Sequence, residues 1–264
     1  MMSRTRILTI LAAFVLLPTV AMAQRGGGFQ PQVDTRPIPR HPNGHPTFLG
    51  QGDAVGLWTG RIGITTPIAD PETVPFKPWA RALWEEREEH ELEPHARCKP
   101  SAGARPFLTP YGVEIVEIPE LERIYIFDVG GPHTWRTIYL DGRSHPRDLQ
   151  SSYVGHSIGW WEGDTLVVET VGLNEGTWIG RRGLPHGEKA RTIERLTRTS
   201  YDQIDYTIEV HDEEAYTGPW TGGFNLAFSE GQELFEYVCQ QANQAPDLML
   251  GDYESVDRSS NIIP

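Results

Sequence analysis

The residues of this chain best suited to proton chemistry fall in four short segments: Trp135-Arg136, His156-Ser157, Pro185-His186 and Glu194-Arg195. Imidazole titrates near neutral pH, so His156 or His186 is the expected general base. A guanidinium stays charged and offers several donors, which suits Arg136 or Arg195 to an oxyanion or enolate. Glu194 would orient the histidine or the arginine. Around these stand His133, Trp135, Tyr139, Trp161, Trp178, Tyr216 and Trp220, expected to bind substrate. Aromatic walls with a few convergent polar groups describe a small-molecule pocket. Each assignment competes with a plainer one: tryptophans before a hairpin pack cores and rims, and Glu194 beside Arg195 can be a structural ion pair.

Other chemistries have weaker signatures. Gly155-His156-Ser157-Ile158-Gly159 matches G-x-S-x-G, but that motif needs a strand turning sharply into a helix. Here Trp160-Trp161-Glu162-Gly163-Asp164-Thr165-Leu166-Val167-Val168 follows, which reads as strand, tight turn and strand. His133, His156 and His186 could meet around zinc or iron, yet no H-E-x-x-H or paired C-x-x-C supports this. There is no glycine-rich nucleotide loop and no haem-attachment motif, so no cofactor is expected.

The elements that must position these residues are short strands. Runs at 113–118, 123–129, 134–140, 156–161, 165–171, 191–199, 204–211, 221–228 and 234–239 are separated by hairpin-length turns such as Glu162-Gly163-Asp164. Together they predict an all-β antiparallel meander of about eight or nine strands closing into a lipocalin-like, calycin-type β-barrel, with a β-sandwich as the alternative. The 191–199 run does not alternate cleanly. Its two faces each carry charge, so a closed barrel must turn either Glu194 or Arg195 inward, and a buried charge needs a partner. One short helix is expected over 78–92, opened by Pro78 and stopped by Pro94.

The ends of the chain read differently. Arg4 and Arg6, an apolar run from Ile7 to Val20 and Ala21-Met22-Ala23 predict a signal peptide over 1–23, cleaved near Ala23. Residues 24–52 read as an irregular, Gly- and Pro-rich arm, 53–245 as a single barrel domain and 246–264 as a tail. The 264 residues include 23 basic and 36 acidic ones. Residues 1–23 hold two of the basic and none of the acidic, so the remainder has 21 against 36, a net charge of −15. That balance argues against nucleic acid and, after cleavage, against membrane surfaces. Cys98 and Cys239 are expected to form a disulfide in a periplasmic or secreted protein, tying the entry to the first strands onto the last.

Five segments carry a resemblance: Arg136 to Pro146, Gly155 to Thr170, Pro185-His186, Glu194-Arg195 and Asp212 to Trp220. They resemble signatures of a widespread family of exported bacterial β-rich proteins. The resemblance implies export and no particular activity. Two departures stand out, Gly187 where serine follows the histidine and Glu213 where proline follows the aspartate. The expected function is an exported, cofactor-independent lyase or isomerase acting on a small aromatic or hydroxylated compound in the barrel pocket. The alternatives are a non-catalytic periplasmic carrier and, behind it, a metal-dependent or serine hydrolase. Oligomerisation is left open.

Overall fold

The structure, a computed structural model, describes residues 34–62, 66–91, 93–128, 130 and 134–239. The signal segment, His133 and the 246–264 tail lie outside the described residues. Nine strands close into one barrel in sequence order: β1 (Gly56–Gly60), β2 (Val113–Ile118), β3 (Arg123–Asp128), β4 (Trp135–Tyr139), β5 (His156–Glu162), β6 (Thr165–Val171), β7 (Arg191–Ser200), β8 (Gln203–His211) and β9 (Trp220–Glu230). The helix α1 spans Pro78–His90, with Pro78 in its first turn. Eight of the nine expected runs are strands. The ninth, 234–239, has no regular structure, and β1 takes its place by pairing with both β2 and β9. Gly56 and Gly60 bracket β1, which hides a strand five residues long from a propensity reading.

A ring of nine strands cannot alternate direction all the way round, because alternation needs an even number. One neighbouring pair must run parallel. It is β4 and β5, with Ile138 opposite Ser157 and Tyr139 opposite Ile158. This corrects the wholly antiparallel expectation at one seam. A parallel pair cannot be joined by a hairpin and needs a long crossover. Residues 140–155 supply it.

Closure turns alternate side chains inward. Ile115, Ile124, Ile138, Leu166, Leu196, Ile204, Tyr206, Ile208 and Leu226 are buried there and fill the interior. On β7 the inward set is Thr192, Glu194, Leu196 and Arg198. Glu194 is therefore the inward charge, 1 % exposed, and its partner is Arg136 on β4, 4 % exposed. Arg136 Nη1 donates to Glu194 Oε1 at 3.0 Å and Nη2 to Oε2, while Tyr206 Oη donates to Oε1 at 2.8 Å. Arg136 also donates to Ser157 Oγ and Thr170 Oγ1, both at 2.9 Å. Burial works against the Arg136 charge, but the Glu194 carboxylate outweighs it and holds the guanidinium protonated.

Arg198 anchors the other end. It donates to the carbonyls of Thr47, Leu49 and Tyr201, and burial lowers its pKa to about 10. Residues 46–50 of the irregular arm are thereby packed onto the barrel, with Phe48 buried and its carbonyl accepting from Trp58 Nε1 at 2.9 Å. Cys98 and Cys239 form the expected disulfide, with a Cα–Cα distance of 5.6 Å. It ties the loop before β2 to the segment after β9, not to a strand. Among the described residues no helix is long and apolar enough to cross a membrane.

A buried ion pair is costly to break and cheap to replace whole. Arg136→Met is expected to lower unfolding stability by about 3–5 kcal/mol, and adding Glu194→Leu should restore most of it. Denaturant titration of the two single variants and the double variant measures this; additive losses would contradict a coupled pair.

Candidate functional site

The expected catalytic residues do not share one cavity. Arg136 and Glu194 meet in the closed interior, together with Ser157, whose hydroxyl also bonds Thr170 Oγ1 at 2.9 Å. Ser157 is thus enclosed within a strand, away from any nucleophile elbow. Arg195 faces outward and binds Glu162 at 2.6 Å. His186 sits in the loop before β7, 7 % exposed; its Nδ1 donates to the Gly187 carbonyl at 2.8 Å, and its buried Nε2 has no hydrogen-bond partner among the described residues. Tyr216 Oη donates to the Pro185 carbonyl at 2.6 Å, and its ring lies 5.5 Å from that of Trp220. Trp178 is buried beneath the Arg87 guanidinium. Trp135 is 57 % exposed, and Trp161 lies at the far end of the barrel against His45.

His156 is on the outer wall, and there the crossover has a consequence. Residues 140–155 carry Arg143 and His145 over β5 and β6. His145 Nδ1 lies 2.8 Å from His156 Nδ1, and His145 Nε2 lies 3.2 Å from Glu169 Oε1. Glu169 Oε2 accepts from Arg191 Nη1 at 2.6 Å. A carboxylate only accepts, so His145 Nε2 carries a proton; in the neutral ring its Nδ1 then accepts from His156 Nδ1–H. The remaining nitrogen of His156, Nε2, holds a lone pair with no hydrogen-bond partner among the described residues. Burial, then His145 and Arg143, lower the His156 pKa below its ordinary 6.5. Tyr139 stacks on His156 at 5.2 Å, and the Arg143 guanidinium sits 3.9 Å from the Tyr139 ring centre.

Strand register extends this cluster sideways. His156 pairs with Val171, Val171 with Arg191, and Arg191 with His211, so the four form one row on the outer face. Val171, Arg191 and His211 floor a surface groove of 1070 Å³, walled by Lys77, Lys189, Tyr216 and the 212–219 turn. His156 is one strand from that floor. Asp212 builds the wall: Oδ1 accepts from the backbone N–H of Glu214 at 2.9 Å, and Oδ2 from that of Gly187 at 2.7 Å. A Cβ at position 187 would lie 2.2 Å from Glu214 Oε2 and 2.8 Å from Glu214 Cβ, so a serine there would require the Glu214 side chain to move.

In the sequence His145 reads equally as a loop histidine or a site residue, and Glu169 and Arg191 do not stand out. His145 stands before a proline in a loop, and Glu169 and Arg191 read as ordinary outward strand positions. Only register brings them together. Among the described residues no group of three or more His, Cys, Asp or Glu side chains is placed to hold a metal ion.

A second acid–base pair is buried beneath the loop before β2. His95 Nδ1 lies 2.7 Å from Ser101 Oγ and 3.6 Å from Asp128 Oδ2, which itself has no hydrogen-bond partner among the described residues. Burial, then Arg105 and Arg181, push the His95 pKa down to about 3; burial raises Asp128 to about 7. At intermediate pH this is therefore a contact between neutral groups, not a salt bridge, despite the short distance.

Compared with known proteins, the chain matches no family model, no curated protein and no solved structure.

The His95–Asp128 pair has a pH signature. Between about pH 4 and 6.5 the folded pair holds one proton, on Asp128, and the unfolded pair also holds one, on the histidine, so its contribution to stability is flat. Asp128→Asn leaves the depressed histidine alone, and stability should fall as pH drops below 6.5, by up to about 1.4 kcal/mol per unit. His95→Gln leaves the raised carboxyl, and stability should fall as pH rises from about 4 to 7. Thermal or denaturant unfolding across this range reads both slopes; equal slopes in the two variants would refute the pairing.

Proposed function

We propose that the protein is an exported enzyme that performs cofactor-independent acid–base chemistry, as a lyase or isomerase, on a small aromatic or hydroxylated molecule bound in the outer-wall groove. The observation that carries this reading is the Glu169–His145–His156 chain, which ends one strand from the groove in a His156 Nε2 with no hydrogen-bond partner among the described residues. A carboxylate that fixes the tautomer of one imidazole, which then fixes the next, is the arrangement of an oriented general base. His156 would remove a proton α to a carbonyl or similar group. Arg143 and Arg191, paired with Asp141 and Glu169, are the nearest guanidiniums and would stabilise the charge that develops. This moves the stabilising role from Arg136, which is buried in the barrel interior, and from Arg195, which lies four residues along β7 from Arg191. It also moves substrate from the barrel interior to its wall.

Export rests on residues 1–23; the disulfide and the absence of a membrane-length helix among the described residues are compatible with it. The competing reading, a carrier using the same groove, predicts retention of a ligand without turnover.

The test is a panel of hydroxylated aromatics and hydroxy acids incubated with the protein in deuterated water and followed by NMR. Solvent deuterium incorporation or elimination is expected for a substrate, and His156→Ala should slow it by about 100-fold or more. Glu169→Gln should cost less and shift the pH profile, whose acid limb in the parent protein should lie below 6.5. A compound that binds and is recovered unchanged, or turnover indifferent to His156→Ala, would rule out the base assigned here.

A further inference from the structure

The opposite end of the barrel carries a second cavity that the outer-wall chemistry does not use. Inward positions of four strands or strand ends meet there: Glu117 of β2, Ile124 of β3, Leu140 just past β4 and Trp161 of β5. His41 and His45 of the N-terminal arm close over them, leaving a volume of 630 Å³. The mouth of a β-barrel is a common place for a small ligand, and this volume suits one.

The arm is held at this mouth by specific contacts. Arg40 pairs with Asp164 at 2.6 Å, and His45 stacks on Trp161 with ring centres 4.7 Å apart and planes 8° from parallel. His41 Nε2 donates to Glu117 Oε1 at 2.8 Å, while Glu117 Oε2 accepts from the Phe48 backbone N–H at 2.8 Å. The Glu117 side chain is only 6 % exposed. Burial raises its pKa, the His41 and Phe48 hydrogen bonds opposing the rise.

The fixed charges of the cavity are unequal. Glu117, Glu120 and Glu122 line it with one guanidinium, Arg123, which lies over the Tyr139 ring at 5.2 Å; Glu117 is already bound by His41 and the Phe48 N–H, so Glu120 and Glu122 carry the exposed charge. An anionic ligand would meet three carboxylates. A cation with an apolar body would complement them, its body against Ile124, Leu140 and the part of the Trp161 indole that His45 and Phe48 leave uncovered.

We propose that this barrel mouth is a binding site for a small organic cation, an amine carried on an aromatic or aliphatic body, held between Trp161 and the Glu117, Glu120 and Glu122 carboxylates beneath the His41–His45 strap. The site is separate from the outer-wall groove, so it stands or falls independently of the enzyme reading.

The test uses the full chain with phenethylamine as the probe and 2-phenylethanol as its neutral control, read by calorimetry and by the indole and imidazole NMR signals. The amine should bind about tenfold or more tightly than the alcohol and should shift the Trp161, His41 and His45 signals. Glu120→Gln with Glu122→Gln, both exposed and with side chains that have no hydrogen-bond partner among the described residues, should weaken the amine several-fold without unfolding the protein, and added salt should do the same. His156→Ala should leave amine binding unchanged. Equal binding of amine and alcohol would identify a site for neutral hydroxylated molecules and overturn the proposal. So would amine binding unaffected by the two glutamine substitutions, or no binding of either compound at millimolar concentration.

Discussion

A closed barrel has no polar side to which β7 could turn its charges on both faces, so one charge must be buried, and the Arg136–Glu194 pair is how this chain accommodates it. The pair links β4 to β7 across the interior, and Ser157, Thr170 and Tyr206 complete its hydrogen bonding from three more strands. Such a network contributes less to net stability than an apolar core of equal volume, since both ions lose their hydration. It does fix geometry. A one-residue slip of β7 would expose Glu194 and bury Arg195, whose outward partner Glu162 would be lost.

Strand parity is the second constraint, and it shapes the surface. Nine strands oblige one parallel seam, the seam obliges a crossover, and the crossover brings Arg143 and His145 over the outer wall. The hydrogen-bonded chain from Glu169 through His145 to His156 follows from that route. A hairpin between β4 and β5 would have left His156 without His145 to orient it. The scaffold thus places His156 on a rigid strand and orients it from a loop.

The two ends of the barrel are closed by different means. At one, Arg198 uses backbone carbonyls of the arm in place of a carboxylate, with Trp58, Tyr201 and Phe228 rings around its guanidinium. At the other, the loop before β2 lies over His95 and Asp128 and is tethered through Cys98 to the segment after β9. A Cβ on Gly130 would come within 2.5 Å of His95 Nε2, so this lid fits only because that position is glycine.

Much of the framework was legible in one dimension. Alternation in 204–211, the turn at Glu162-Gly163-Asp164, Pro78 before a charged amphipathic run and two cysteines behind a secretion-like leader each express a local rule, and eight strands, the helix and the disulfide follow. The uneven charge on β7 even foretold a buried ion pair. What remained hidden depends on neighbours distant in sequence. Nothing local distinguishes Gly56–Gly60 from a loop; it is a strand because β2 and β9 offer it edges. That Glu194 rather than Arg195 turns inward, that Arg136 is its partner, and that His156 meets His145 and Glu169 while His186 does not, are matters of register and closure. Side-chain type sets which chemistry a residue can perform, and that is written in the sequence. Which residues stand within a hydrogen bond of one another is set by how nine strands close into a ring, and only the tertiary structure decides it.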